Sequence, residues 1–360
     1  MTSWTARPPI TVRIVVTGAS GNVGTSLLAR LAEDEQVTEV RGVARRVPEM
    51  RFEKTSWRRA DVVDADLASL FEGADVVVHL AWLIQPSRDE ATTWRVNVEG
   101  SRRVFDSAAS AGVPALIYAS SIGTYAPGPV DRAVDESWPA TGIATSFYSR
   151  QKAAVERLLD DFEAAHADTR VVRLRPALIF KRSAATEIRR LFIGPLLPSP
   201  LVREQALPLL PLPRGLRTQA VHSLDIGEAY RLAAKRPVRG AFNIAAEPVL
   251  DAHTLGRLLH ARPVELPPRA LRAAVSLSWH ARLQPTSPGW LDMGLGLPLI
   301  DASRARAELG WSPRFGADEA LRELLDGLRE RDGLETPPLD PATSGPLRWR
   351  EFLKGLGSRA

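Results

Sequence analysis

From its N-terminus the chain alternates short β-branched runs with stretches whose apolar residues recur every three or four positions. Residues 11–17 (TVRIVVT) carry a strand pattern, and 22–32 a helix with Val23, Leu27, Leu28 and Leu31 on one face. Further strands are predicted over 37–44, 56–60 and 75–80, with helices over 65–72 and 90–111, the latter closed by Gly112. A fifth strand at 115–120, a helix at 147–165 and a sixth strand at 170–174, ended by Arg175-Pro176, complete the series. Strands separated by crossovers long enough for helices predict βαβ units, and hence an α/β fold built on a doubly wound parallel sheet.

Beyond Pro176 the texture changes. Residues 193–215 are rich in proline and predict loop. A strand at 218–222, a helix at 224–234 and a strand at 241–245 follow. Residues 251–330 are mainly helical in pattern, broken by Pro285, Pro288, Pro298 and Pro313. The tail from 336 is polar, with Trp349 and Phe352 as aromatic anchors, and is expected to wrap the surface or stay partly mobile. No repeat at solenoid or propeller periods is found.

Composition narrows the function classes. The 360 residues are 44% hydrophobic and 25% charged, ordinary for a globular protein. The absence of cysteine excludes a disulfide scaffold, a thiol nucleophile and every cysteine-ligated metal site, and fits a reducing cytoplasm, the expected location. No apolar run reaches the roughly 18 residues a membrane span needs, and the first ten residues lack a signal-peptide core. The net charge of +5 is carried by 47 basic residues interspersed with 42 acidic ones, without a run of five like charges. Nucleic-acid binding is therefore not expected. The histidines show no ligand spacing, so no metal is expected.

Two motifs carry chemistry. Thr17-Gly18-Ala19-Ser20-Gly21-Asn22-Val23-Gly24 follows a predicted strand and opens a predicted helix. Gly18 suits the tight turn, Gly21 the approach of backbone to a pyrophosphate and Gly24 close helix–strand packing. Ser20, Asn22 and Val23 complete the loop, where free N–H groups at the helix N-terminus favour anions. Tyr148-Ser149-Arg150-Gln151-Lys152 places a phenol and an ammonium at i and i+4 on one helix face. A phenol titrates near 10 and works better as an acid or base beside a cation. Past the glycines no carboxylate stands about 20 positions on; Arg45 and Arg46 do, and two guanidiniums suit a ribose 2′-phosphate. That favours NADP, with NAD not excluded.

The three-residue glycine spacing with Tyr-x-x-x-Lys resembles the short-chain dehydrogenase/reductase superfamily, in its extended branch of NAD-dependent epimerase/dehydratase type. Ser121 matches the hydroxyl residue that bonds the substrate oxygen, with Ser120 as a confusable neighbour. Leu80 and Ala81, after His79, resemble the strand-end segment beside the cofactor; His79 itself is read as packed rather than catalytic. Asn97 in R-V-N-V-E-G resembles the helix asparagine that orients the lysine or its water. Asp61 and Val62 resemble the adenine-contacting pair, and Lys152 would also bond a cofactor ribose. Ile122 and Gly123 stand where sugar dehydratases keep an acid, so dehydration is not implied.

The resemblance implies a Rossmann sheet of about seven strands over 1–180 and 218–246. A smaller, discontinuous, mostly helical substrate domain over 181–217 and 247–330 and a tail over 331–360 complete the chain. Lys181, Arg182, Arg189 and Arg190 are either ligands for a substrate diphosphate or surface charge. Asp225 is expected to cap the following helix. Leu271, Val275, Trp279 and Leu283 are expected to face the core. The expected activity is hydride transfer between NADP(H) and a carbinol or carbonyl carbon of a small molecule, with Tyr148 moving the proton. An epimerase holding its nicotinamide tightly is the nearest alternative, and a silent dinucleotide sensor the alternative of another class. Helix-to-helix homodimers are common in the family, while the sequence leaves oligomeric state open.

Overall fold

The computed structural model describes residues 11–84, 87–188, 208–284, 286–330 and 332–340. In chain order the first half holds β1 (Val12–Thr17), α1 (Asn22–Ala32), β2 (Val37–Ala44), β3 (Thr55–Arg59), α2 (Leu67–Phe71) and β4 (Val76–His79). Next come α3 (Glu90–Trp94), α4 (Gly100–Ser110), β5 (Ala115–Ala119), β6 (Ala133–Val134), α5 (Phe147–Ala165) and β7 (Arg170–Pro176). The second half holds β8 (Leu178–Phe180), α6 (Ala185–Ile188), β9 (Leu209–Pro213), β10 (Arg217–His222), α7 (Ser223–Lys235), β11 (Gly240–Ile244) and β12 (Ala246–Asp251). It ends with α8 (Ala252–Leu258), β13 (Arg262–Leu266), α9 (Pro268–His280), α10 (Pro288–Gly296), β14 (Leu299–Ile300) and α11 (Ala317–Glu330).

Seven strands form one parallel sheet in the order β11-β7-β5-β4-β1-β2-β3. Alternation along each strand feeds two helical layers. Ile14 and Val16 of β1 pack with Leu27, Leu28, Ile226 and Tyr230 from α1 and α7. Val15, between them, packs on the opposite face with Phe105 and Leu159 from α4 and α5. Leu27, Leu28 and Leu31 are wholly buried, which stabilises the fold by about 1.5–3 kcal/mol apiece. The sheet order reverses direction beside β1, and the C-terminal ends of β1 and β4 there frame the crevice where open α/β sheets bind ligands.

Three expectations are corrected. The strand at 218–222 does not join the main sheet: β10 pairs with β8 and β12, and β11 supplies the seventh strand. The unit beyond β7 is mostly helical over the described residues of 181–217 and 247–330, and carries β8-β10-β12 and the β9–β13 pair beside its helices. The long helix over 90–111 is interrupted by a π-helical turn at Arg95–Glu99, where the Ser101 hydroxyl donates to the Asn97 carbonyl at 2.5 Å. Asp225 does not cap α7; the His222 ring does, accepting from Leu224 N at 3.2 Å. Asp225 instead accepts from the backbone N–H groups of Arg314 and Phe315 at 3.0 and 3.1 Å, tying down the loop before α11.

None of the α9 residues is fully buried; Leu271, Val275 and Trp279 are partly buried, while Leu283 beyond it is 58% exposed. Lys181 donates to Asn22 O, Thr25 Oγ1 and Ser26 Oγ, and Arg182 pairs with Glu330 and Asp332, so both are engaged within the protein. Arg189, Arg190, Trp349 and Phe352 lie outside the described residues.

Candidate active site

The loop between β1 and α1 follows from its glycines. Gly18 has φ +72°, a left-handed backbone that disfavours side chains, and a Cβ there would stand 2.6 Å from Ala81 N. The loop thus lies directly against the end of β4. Gly21 is the N-cap of α1 and brings no side chain to the first-turn N–H groups, leaving that end of the helix open to an anion. Gly24 packs against the carbonyls of Gly18 and Ala19.

A cleft runs over this loop. Of the residues expected to hold cofactor, Gly18, Ser20, Gly21, Arg45, Arg46, Asp61, Val62, Leu80 and Ala81 line it together. Asn22, Val23, Gly24 and Lys152 do not. Arg45 stands 4.0 Å from Asp61, so guanidinium and carboxylate share the rim beyond β2. The cleft also takes Trp82, Leu83 and, from far along the chain, Pro337 and Pro338. The last two come from the tail, which at residues 332–340 folds back to the cleft, with Leu339 wholly buried.

Behind Trp82 and outside the cleft lining, Ser146 caps α5 and sets Tyr148 in its first turn. Tyr148 is 8% exposed and shares a hydrogen bond with Ser121; burial pushes its phenol up to about 12, and that bond opposes the rise. Gly123 makes room for the ring, since a Cβ there would meet Tyr148 Cε1 at 2.8 Å. The two neighbouring serines part company: Ser121 turns to Tyr148, while Ser120 donates to Glu156 Oε1 at 2.5 Å.

Lys152, one turn beyond Tyr148 and 3% exposed, donates to Ala119 O at 2.6 Å and reaches Tyr118 Oη at 3.4 Å. Burial holds it well below the usual lysine range, with Glu156's charge opposing. Its Nζ lies 3.5 Å from the Trp82 ring and 5.9 Å from the Tyr148 ring. Asn97 does not touch Lys152. Its side chain accepts from Leu83 N at 2.7 Å and donates to Leu83 O at 3.0 Å and Gln151 Oε1 at 2.8 Å. The π-helical turn points this amide inward, where Leu83's backbone satisfies it. His79 is bonded to Thr17 Oγ1 at 2.7 Å and Ser101 Oγ at 2.9 Å, and burial, aided by Lys152, drives it down to about 3, so it is neutral and packed.

Three neighbours escaped the sequence reading. Glu156 is buried between Arg175, at 2.9 Å, and Arg173, at 3.1 Å. Burial alone would raise its carboxyl, but the bonds and charge of Arg175, with Arg173 and Ser120, hold it down to about 2. Its place one turn beyond Lys152, on the face of the Tyr–Lys pair, was a usable signal. Trp290 of α10 lies against Tyr148 with centroids 5.3 Å apart, and Trp82 meets Tyr148 edge-on at 6.0 Å. Trp82 both lines the cleft and touches the Tyr–Lys pair, so the two halves of the site are one.

The profile of the NAD dependent epimerase/dehydratase family matches residues 14–245. The chain belongs to this family. The Mycobacterium tuberculosis protein Rv2047c, uncharacterized, is 29% identical over 330 residues, covering 90% of this chain but 31% of its own length. The chain thus spans about a third of that relative. L-arabinose 1-dehydrogenase (NAD(P)(+)) of Haloferax volcanii is 37% identical over 110 residues, 30% of this chain and 41% of its own. The solved structure of MoeE5 in complex with UDP-glucuronic acid and NAD superposes with a TM-score of 0.66 at 22% identity, over 88% of this chain and 99% of its own; the likeness is one of fold. Among the described residues no helix is long and apolar enough to cross a membrane, and no cluster of metal-ligating side chains occurs.

Proposed function

We propose that this member of the family is an NAD(P)-dependent oxidoreductase acting on a carbinol or carbonyl carbon of a small molecule. The observation that carries the reading is Tyr148, bonded to Ser121, one turn from Lys152 and in edge-on contact with Trp82, which lines a cleft built on an uncapped glycine loop. The loop fits a dinucleotide: a side chain at Gly18 would fill the space between loop and Ala81, and the open end of α1 suits a pyrophosphate. Gly18, Ser20 and Gly21 would hold that part, Asp61 and Val62 the adenine side, and Leu80 and Ala81 the inner half. A bound nicotinamide supplies or accepts the hydride.

The chain's own groups do the rest. Ser121 orients the reacting oxygen, and the phenol of Tyr148, protonated at neutrality, gives its proton to that oxygen during reduction. Lys152 lies behind the phenol as a buried ammonium that donates to Ala119 O. Trp82 and Trp290 flank the phenol ring and limit water around it. The same groups serve an epimerase that oxidises and re-reduces one carbon, a reading the family's range supports. Net consumption of NADPH separates the two.

Arg45 and Arg46 on the cleft rim favour NADP. Calorimetric titration of the R45A/R46A double variant tests this: affinity for NADPH falls on the order of tenfold to a hundredfold while that for NADH holds. Equal loss for both cofactors, or no loss, refutes the preference. A cytoplasmic location and a homodimer belong to the same reading, supported by the absence of cysteine and by the family's habit.

A further inference from the structure

Lys152 sits in an unusual shell for a buried ammonium. Ala119 O takes one N–H at 2.6 Å, and Tyr118 Oη stands at 3.4 Å. Glu156, whose charge it feels, is taken up by Arg173 and Arg175 instead. The remaining side of the ammonium is covered by the face of Trp82, 3.5 Å from Nζ. An indole face is the strongest aromatic partner for a cation, most of all out of water.

The backbone around Trp82 is clamped on both sides. Ala81, before it, abuts Gly18 of the phosphate loop. Leu83, after it, is held through both its N–H and C=O by the side chain of Asn97. Asn97 also bonds Gln151, the neighbour of Lys152 on α5.

We infer that Trp82 is the positioning residue of the Tyr–Lys pair, its indole holding the Lys152 ammonium in place and charged, and that Asn97 acts on Lys152 through Trp82 rather than by contact. This rests on reading Tyr148 and Lys152 as the working pair. The other groups facing Lys152 do not replace the indole. His79 on β4 is neutral, Tyr118 on β5 is a protonated phenol raised further by burial, and Tyr148 and Glu156 lie on α5 itself.

The chain has five lysines (Lys54, Lys152, Lys181, Lys235 and Lys354), few enough to follow individually by NMR with carbon-13 at the ε position. K152R assigns the signal. In the wild-type protein the Lys152 ε resonance should stand upfield of the other four, from the ring current of the indole. In W82L, which keeps the site dry but removes the nearest π face and leaves the Tyr118 ring at 5.0 Å, most of that displacement disappears and the Lys152 titration midpoint falls by about half a pH unit or more. W82F, keeping a smaller π face, restores most of it. The alkaline limb of kcat for NADPH oxidation moves with the midpoint in each variant. An unshifted wild-type resonance, or equal midpoints in wild type and W82L, overturns the inference. A shift that follows the indole in protein that turns over no carbonyl substrate leaves the inference standing and defeats the oxidoreductase reading instead.

Discussion

Replacing Glu156 by Gln keeps the shape of the side chain and removes its charge. Arg175, 6% exposed at its side chain, would then be a buried cation without its carboxylate partner, while Arg173 would keep Asp160 and Glu163. Breaking a buried pair by removing one partner costs about 3–5 kcal/mol. A second estimate comes from protonation. The carboxyl titrates near 2 in the fold against an ordinary 4.5, a depression that corresponds to about 3 kcal/mol. Because the folded value is the lower one, this stability is fully present above about pH 4.5 and is lost as pH falls toward 2.

Urea denaturation of wild type and E156Q at a series of pH values reads both estimates. At neutral pH the variant should be less stable by about 3 kcal/mol, and its melting temperature lower by about 4 °C for a chain of this size. Below pH 4.5 the gap should narrow, because the carboxyl of the unfolded wild-type chain takes up a proton that the folded one refuses until about pH 2, while the glutamine has none to take. Equal stability at neutral pH, or a gap that stays constant into acid, would refute the reasoning.

Gly18→Ala places a Cβ 2.6 Å from Ala81 N on a backbone with φ +72°. Calorimetry should show dinucleotide affinity reduced on the order of tenfold or more, with the fold retained by circular dichroism; unchanged affinity would remove the loop from the cofactor site. The phenol of Tyr148, pushed up to about 12, gives opposite pH behaviour in the two directions. Reduction, which uses the protonated form, should be flat through neutrality. Alcohol oxidation, which needs the phenolate, should rise about tenfold per pH unit from roughly pH 6 to 9 in single-turnover measurements. A flat oxidation profile would exclude Tyr148 as the base.

Much of this was legible along the chain because it is local. The strand runs, the apolar stripe of α1 and the glycine loop are written in spacings of two, three or four residues, and each recurs in the structure. Tyr148 and Lys152 share a helix face for the same reason. What escaped depends on partners distant in sequence. β10 reads as one more sheet strand, yet β8 and β12 claim its edges. Asp225 reads as a cap, yet the backbone at 314 and 315 takes its carboxylate. Trp82 belongs to no motif along the chain, and only the approach of α5 turns it into a partner for Lys152.

The central claim is that Tyr148 moves a proton beside a dinucleotide held over the glycine loop. NADPH titration followed by single turnover, in wild type and Tyr148→Phe, tests it most directly. Both proteins should bind NADPH with the same affinity, while the variant loses on the order of a hundredfold or more in hydride transfer. Undiminished transfer in the variant, or no binding heat in the wild type, would contradict it.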